Sequence, residues 1–98
     1  MSTEVTVVAT IKAKQGMHEE IKKKLLALIP PTRSEKGCIT YDLHHSLEDN
    51  TVFMFYEIWA SKDDLDKHLT MSHLEEFIEK TEDMLSEPID VRLWTVVE

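Results

Sequence analysis

Residues 52–59 read Val-Phe-Met-Phe-Tyr-Glu-Ile-Trp, and no other stretch constrains the fold so strongly. In an extended chain successive side chains point to opposite faces. Val52, Met54, Tyr56 and Ile58 then share one face, and Phe53, Phe55, Glu57 and Trp59 share the other. Both sets are largely apolar, so the strand requires cover on both sides. It also carries one carboxylate among aromatics, and a buried ionised carboxylate is costly unless it is paired.

The flanking sequence supplies the other elements. Residues 4–12 alternate, with Val5, Val7, Ala9 and Ile11 on one face, which predicts a first strand. Ile21, Leu25, Leu28 and Ile29 recur at helical spacing and predict a helix over about 17–29, ended by Pro30-Pro31. Strands follow over roughly 38–46 and 52–60, joined by a hairpin at Glu48-Asp49-Asn50. Ser61-Lys-Asp-Asp64 has the shape of a capping box and opens a short helix over about 62–70. Ser72-His-Leu-Glu75 repeats the signal and opens a longer helix to about 85, with the stripe Leu74, Phe77, Ile78, Thr81 and Leu85. Pro88 precedes a last strand over 89–97. The order β-α-β-β-α-α-β predicts an α+β, ferredoxin-like antiparallel sheet with helices on one face, built as a single domain from residues 1–98.

Helices in this order cover only one face, yet the first, third and last strands are apolar on both. The uncovered face would exceed the apolar patch usual for a monomer, so a homodimer is expected. The hairpin register follows from charge. A two-residue turn would set Asp42 opposite Glu57, an unfavourable pair. A three-residue loop at 48–50 instead pairs Tyr41 with Glu57, Ile39 with Trp59, Leu43 with Phe55 and His45 with Phe53. One face then holds Tyr41, His45, Phe53, Phe55, Glu57 and Trp59, and the other Cys38, Thr40, Asp42, His44, Met54, Tyr56 and Ile58.

Glu57 has two readings: a structural partner of Tyr41 or a backbone amide, or a carboxylate that orients a histidine or a substrate hydroxyl. His68 lies three residues after Leu65 and so on the inward face of the short helix, where a neutral imidazole can take a proton near pH 7. His73 follows Ser72 at a helix start, and His18 is expected to face solvent. His44 and His45 are adjacent on a strand and cannot chelate one ion together. No spacing resembles a metal-ligand motif, so no metal site is expected. Cys38, the single cysteine, reads as a small buried hydrophobe. Trp59 and Trp94 read as packing residues, although either could line a pocket for a planar ligand.

Composition narrows the function. A formal charge of −8 disfavours nucleic-acid binding. Two glycines leave no phosphate-cradling loop, which excludes Rossmann-type cofactor binding. One thiol excludes an internal disulfide and a cysteine-based zinc site. No apolar run approaches a membrane span, and Met-Ser-Thr-Glu-Val lacks the form of a signal peptide, so no membrane partner and a cytoplasmic location are expected.

Glu35-Lys-Gly-Cys-Ile-Thr-Tyr41, Phe55-Tyr-Glu57-Ile-Trp59, and then His68 and His73, taken in order over nearly the whole chain, resemble the antibiotic biosynthesis monooxygenase family, of the small quinol monooxygenase type. The resemblance implies a dimeric α+β barrel with a pocket between sheet and helices. It implies oxygenation of a small electron-rich aromatic by molecular oxygen without cofactor. His68 would be the base, Glu57 its orienter and Tyr41 the anchor. Trp59, Phe53 and Phe55 would form an apolar box, with His45 and His73 as further substrate-binding positions. Haem-degrading relatives carry an asparagine on the first strand, where this chain has Thr6, Val8 and Thr10. Two other functions fit the same scaffold: isomerase-like processing of a small phosphorylated signalling metabolite, for which Arg33 and Arg92 are the cations, and a non-enzymatic dimeric ligand-binding module.

Overall fold

The computed structural model describes residues 3–98, so Met1 and Ser2 of the N-terminal stretch lie outside it. The elements are β1 (Val5–Lys12), α1 (His18–Arg33), β2 (Cys38–His45), β3 (Val52–Trp59), α2 (Lys62–His68), α3 (Ser72–Thr81) and β4 (Asp90–Trp94), with a short 3-10 turn at Glu82–Met84. The four strands form one antiparallel sheet in the order β2-β3-β1-β4. This is the ferredoxin-like α+β arrangement that the element order predicts.

The hydrophobic core lies between one sheet face and the helices. β1 contributes Val7, Ala9 and Ile11, and β3 contributes Phe53, Phe55 and Trp59. α1 buries Ile21, Leu25, Leu28 and Thr32 against them. α2 adds Leu65 and His68, and α3 adds Phe77 and Thr81. Ile78, expected in the α3 stripe, is 50% exposed. No helix is long and apolar enough to cross a membrane among the described residues.

The hairpin pairs Tyr41 with Glu57, Leu43 with Phe55 and His45 with Phe53, as the like-charge argument requires. Its far end differs from expectation. A bulge between Cys38 and Thr40 sets Cys38, not Ile39, opposite Trp59. Ile39 is thereby turned out to 53% exposure, while Cys38 packs against the core rather than on the opposite face.

Element boundaries also differ: α3 stops at Thr81 rather than about 85, and the last strand spans Asp90–Trp94 rather than 89–97. α1 runs through Pro30 and Pro31 instead of stopping before them. Proline removes the N–H that the carbonyl four residues back would accept. Both prolines are exposed, so water can satisfy the freed carbonyls. The last turn is held by tertiary contacts: Thr32 is fully buried, and Arg33 Nη2 donates to the Tyr41 carbonyl at 3.0 Å and to Asp42 Oδ1 at 3.1 Å. At α3 the cap position is Met71, and Ser72 lies inside the helix with no capping bond. Ser61 caps α2 as expected, accepting from the Asp64 backbone at 3.2 Å.

Gly37 shows why the α1–β2 connection needs glycine. Its φ is +84°, and the space a Cβ would occupy is taken by the Asp64 side chain. Gly37→Ala is expected to destabilise the fold by about 1–3 kcal/mol, read as a lowered denaturant midpoint at unchanged m-value.

Candidate active site

A cavity of about 230 Å³ lies between the sheet and the helices. Its floor is Val7, Ala9 and Ile11 of β1, Tyr41 of β2, and Phe55 and Glu57 of β3. α1, α2 and α3 roof it with Leu25, Leu28, Leu65, His68, Leu74 and Phe77. An apolar cavity of about 150 Å³ accepts benzene, so this one has room for a small aromatic. Leu69, Ile78 and Val91, each about half exposed, mark its mouth. Among the described residues no Lys or Arg lines it.

His68 is the polar side chain of the roof, and its side chain is 3% exposed. The carboxylate bonded to it is Glu35, not Glu57: Nδ1 donates to Glu35 Oε2 at 2.9 Å. A carboxylate oxygen only accepts, so the proton of the neutral ring sits on Nδ1 and Nε2 keeps its lone pair. Burial pushes the His68 pKa down, opposed by the hydrogen bond and charge of Glu35, so the ring is held neutral. Trp59 lies against the imidazole at 4.7 Å between ring centroids, and Tyr41 meets it edge-on at 5.7 Å.

Glu57 takes a third partner that neither sequence reading named. Trp59, two residues along the same face of β3, donates Nε1–H to Glu57 Oε1 at 2.8 Å. Burial pushes the carboxyl up to about 7; the indole bond opposes this and the Glu35 charge adds to it. Tyr41 stacks on Phe55 at 4.3 Å. Its phenol is pushed above its ordinary value by burial first and then by Glu57, so it stays a protonated donor. The Cys38 thiol is also raised by burial, to about 11, which leaves it an inert packing group.

The raised Glu57 pKa has a stability consequence. The folded state holds its proton more tightly than the model value of 4.5, so stability falls as pH rises from about 4.5 through about 7. Glutamine keeps an oxygen for the indole but no charge. Glu57→Gln is therefore expected to raise stability at pH 8 by up to roughly 3 kcal/mol and to be near neutral at pH 4, measured by urea unfolding at both values.

The other expected residues separate. Trp59 is fully buried and touches His68 rather than the cavity space. Phe53 and His45 stack on each other at 4.3 Å beside a different groove, along α1 and the hairpin. His45 is exposed, with Nε2 2.9 Å from the Asn50 carbonyl oxygen, because its place beyond the hairpin's core end carries it past the roof. His73 does not line the cavity either. It approaches from behind His68, with Nε2 2.8 Å from Glu35 Oε2 and 3.2 Å from Thr32 Oγ1. Sequence reasoning leaves Glu35 in a connection without a role. Arg33 and Arg92 pair with Asp42 and Asp90 outside the cavity. His18 is only partly exposed, and its Nδ1 is buried without a partner.

Comparison with known proteins gives a consistent picture. Residues 4–80 match the model of a family described as antibiotic biosynthesis monooxygenase. An uncharacterised protein of Synechocystis is 32% identical over 94 residues, which cover 96% of this chain but 64% of that longer protein. Rv0793 of Mycobacterium tuberculosis, named as a candidate monooxygenase, is 30% identical over 93% of this chain and 89% of its own length. Its solved structure superposes with a TM-score of 0.90, covering 97% of this chain and 96% of that one. The crystal structure of PA3566 from Pseudomonas aeruginosa is 33% identical, with a TM-score of 0.93 over 100% of this chain and 98% of that one.

Proposed function

The chain belongs to the antibiotic biosynthesis monooxygenase family, and we propose that it oxidises a small, uncharged, electron-rich aromatic such as a quinol with molecular oxygen. The observation that carries this reading is a neutral histidine, held by a carboxylate through Nδ1, in the roof of a largely apolar cavity. His68 Nε2 takes the proton of a substrate hydroxyl. Glu35 is the positioning residue behind it, in the role the resemblance implies for Glu57. The Tyr41 phenol donates to a substrate oxygen, and Phe55 and the leucines exclude water from the resulting anion.

The electrons need no outside source. Dioxygen accepts four, and a quinol supplies four: two as its two C–OH carbons become C=O, and two as one ring C–H becomes C–OH. One oxygen atom enters the product and the other leaves as water. Deprotonation is the step the protein accelerates, because the anion gives up its first electron to oxygen far more readily than the neutral form does.

The alternative substrate, a phosphorylated metabolite, is disfavoured by a lining with no Lys or Arg among the described residues and by the two carboxylates near it. The non-enzymatic alternative is disfavoured by His68, an imidazole held by Glu35 in the cavity roof, which ligand binding alone does not require.

A second copy of the chain completes the molecule. The sheet face away from the helices carries Val8, Met54, Tyr56 and Ile58, and β4 leaves Val91, Leu93 and Trp94 about half exposed. Val91 also borders the cavity, so a partner on this edge shields the mouth. Sedimentation equilibrium is expected to give twice the 11.4 kDa chain mass. The functional test is oxygen uptake with a panel of hydroquinones and anthrones, without added reductant. One oxygen consumed per substrate is expected; uptake no faster than autoxidation across the panel, with no thermal stabilisation by any member, sinks the reading.

A further inference from the structure

Glu35, His68 and His73 stand 33 and 38 positions apart in sequence, yet their ligating atoms lie within 4.8 Å of one another. Glu35 Oε2 is 2.9 Å from His68 Nδ1 and 2.8 Å from His73 Nε2. The other carboxylate oxygen, Oε1, is buried without a hydrogen-bond partner, on a side chain that is 6% exposed. Among the described residues no Lys or Arg forms an ion pair with Glu35, nor with the neighbouring buried Glu57. Buried carboxylates are normally neutralised by a cation or a metal.

We propose that Glu35, His68 and His73 form a binding site for a divalent transition metal of the zinc class. Two imidazoles and one carboxylate suit zinc, cobalt, nickel or copper rather than magnesium or calcium, which prefer all-oxygen shells. Metal–ligand bonds of about 2.0–2.2 Å at tetrahedral angles separate neighbouring ligand atoms by roughly 3.4 Å. The two short edges of the triad therefore open by about half an ångström to admit the ion. The free Oε1 or a water completes the coordination, and Thr32 Oγ1, 3.2 Å from His73 Nε2, gives up that nitrogen to the ion. His73, with 23% of its side chain exposed, provides the access route.

Occupancy has a consequence that rests on the function proposed above. A metal on His68 Nδ1 takes the lone pair there and leaves the ring proton on Nε2. The nitrogen offered to a bound substrate changes from proton acceptor to donor, so the metal and the base reaction exclude each other.

The test titrates cobalt(II) into the chelator-stripped full-length protein. One equivalent is expected to bind, with the visible absorption of a four- or five-coordinate site and a raised melting temperature. His73→Ala is expected to lose both effects, and His44→Ala, on an exposed strand position, to keep them. His73→Asn serves the same purpose should the alanine variant unfold. No cobalt absorption, or absorption that survives both His73 variants, overturns the site. Zinc added to a turnover assay is expected to lower the rate in step with occupancy; full turnover at full occupancy overturns the exclusion. Absence of turnover in the metal-free protein counts against the oxygenase reading alone, because the cobalt spectrum decides the site without it.

Discussion

Replacing His68 with glutamine is expected to lower kcat for an accepted quinol by about a hundred- to ten-thousand-fold, with KM little changed. The side chain is 3% exposed and stands between Glu35, Trp59 and Tyr41. Glutamine fills much of the same volume and can still donate to Glu35 Oε2, so the roof keeps its packing. It has no basic lone pair to take a proton. The loss therefore falls on the step after binding. A variant that folds, binds substrate and turns over at the normal rate removes His68 from the chemistry. Glu35→Gln is the informative companion. It leaves the imidazole in place but weakens the preference for the Nδ1–H tautomer, so its loss of kcat is expected to be smaller than that of His68→Gln. Equal losses would show that orientation, rather than basicity, is the quantity that matters at this ring.

The site divides its polar groups by the charge each can hold. His68 stays neutral because burial outweighs the adjacent carboxylate. Tyr41 stays protonated because burial and Glu57 both oppose the phenolate. Glu57 is poised near neutral pH because one indole bond does not offset its desolvation. An acceptor, a donor and a group able to act as either then surround an apolar space without any fixed positive charge in its lining. Such an environment favours neutral molecules that become anionic only on giving a proton to the base.

Period-two alternation made the sheet legible: Phe53, Phe55, Glu57, Trp59 and Tyr41 all fall on the core face, as their spacing dictates. The Tyr41–Glu57 register was legible because a one-residue slip would oppose two carboxylates. The bulge at Ile39 was not, since an extra residue in one strand changes no local pattern. Pro30-Pro31 misleads because proline punishes a helix interior, while burial of Thr32 and the reach of Arg33 reward one more turn. Glu35 was hidden for a different reason. Its partners lie more than thirty residues away, and a connection has no periodicity from which to read a direction. The signal that could have found it is the Gly37 beside it: a glycine held at φ +84° against Asp64 fixes the path of the connection, and so brings Glu35 under α2. The same long-range closure explains why spacing gave no metal motif although a carboxylate and two imidazoles meet.

Trp59→Ala is expected to remove about 3–5 kcal/mol by lost packing alone, a large share of the ~5–15 kcal/mol that holds a small domain together. The indole is fully buried against His68 and is the donor to Glu57 Oε1. Its removal leaves both a cavity and a buried carboxylate with no partner on that oxygen, so thermal unfolding near physiological temperature is the expected result. Trp59→Phe separates the two causes. Phenylalanine keeps much of the ring volume and removes only the N–H. That hydrogen bond lowers the Glu57 pKa, so its loss pushes the carboxyl further up from about 7. The sign follows: the cost is small near pH 4, where Glu57 is protonated in both states, and grows as pH rises and folding must either hold a proton or bury a bare charge. A difference of about 1–3 kcal/mol between pH 4 and pH 8 is expected from the lost charge-assisted bond. With Glu57→Gln in the background the pH dependence of Trp59→Phe should vanish, since no ionisable partner remains. If it persists unchanged in the double variant, the pH term belongs to some other group and Glu57 is not the residue that strains this strand.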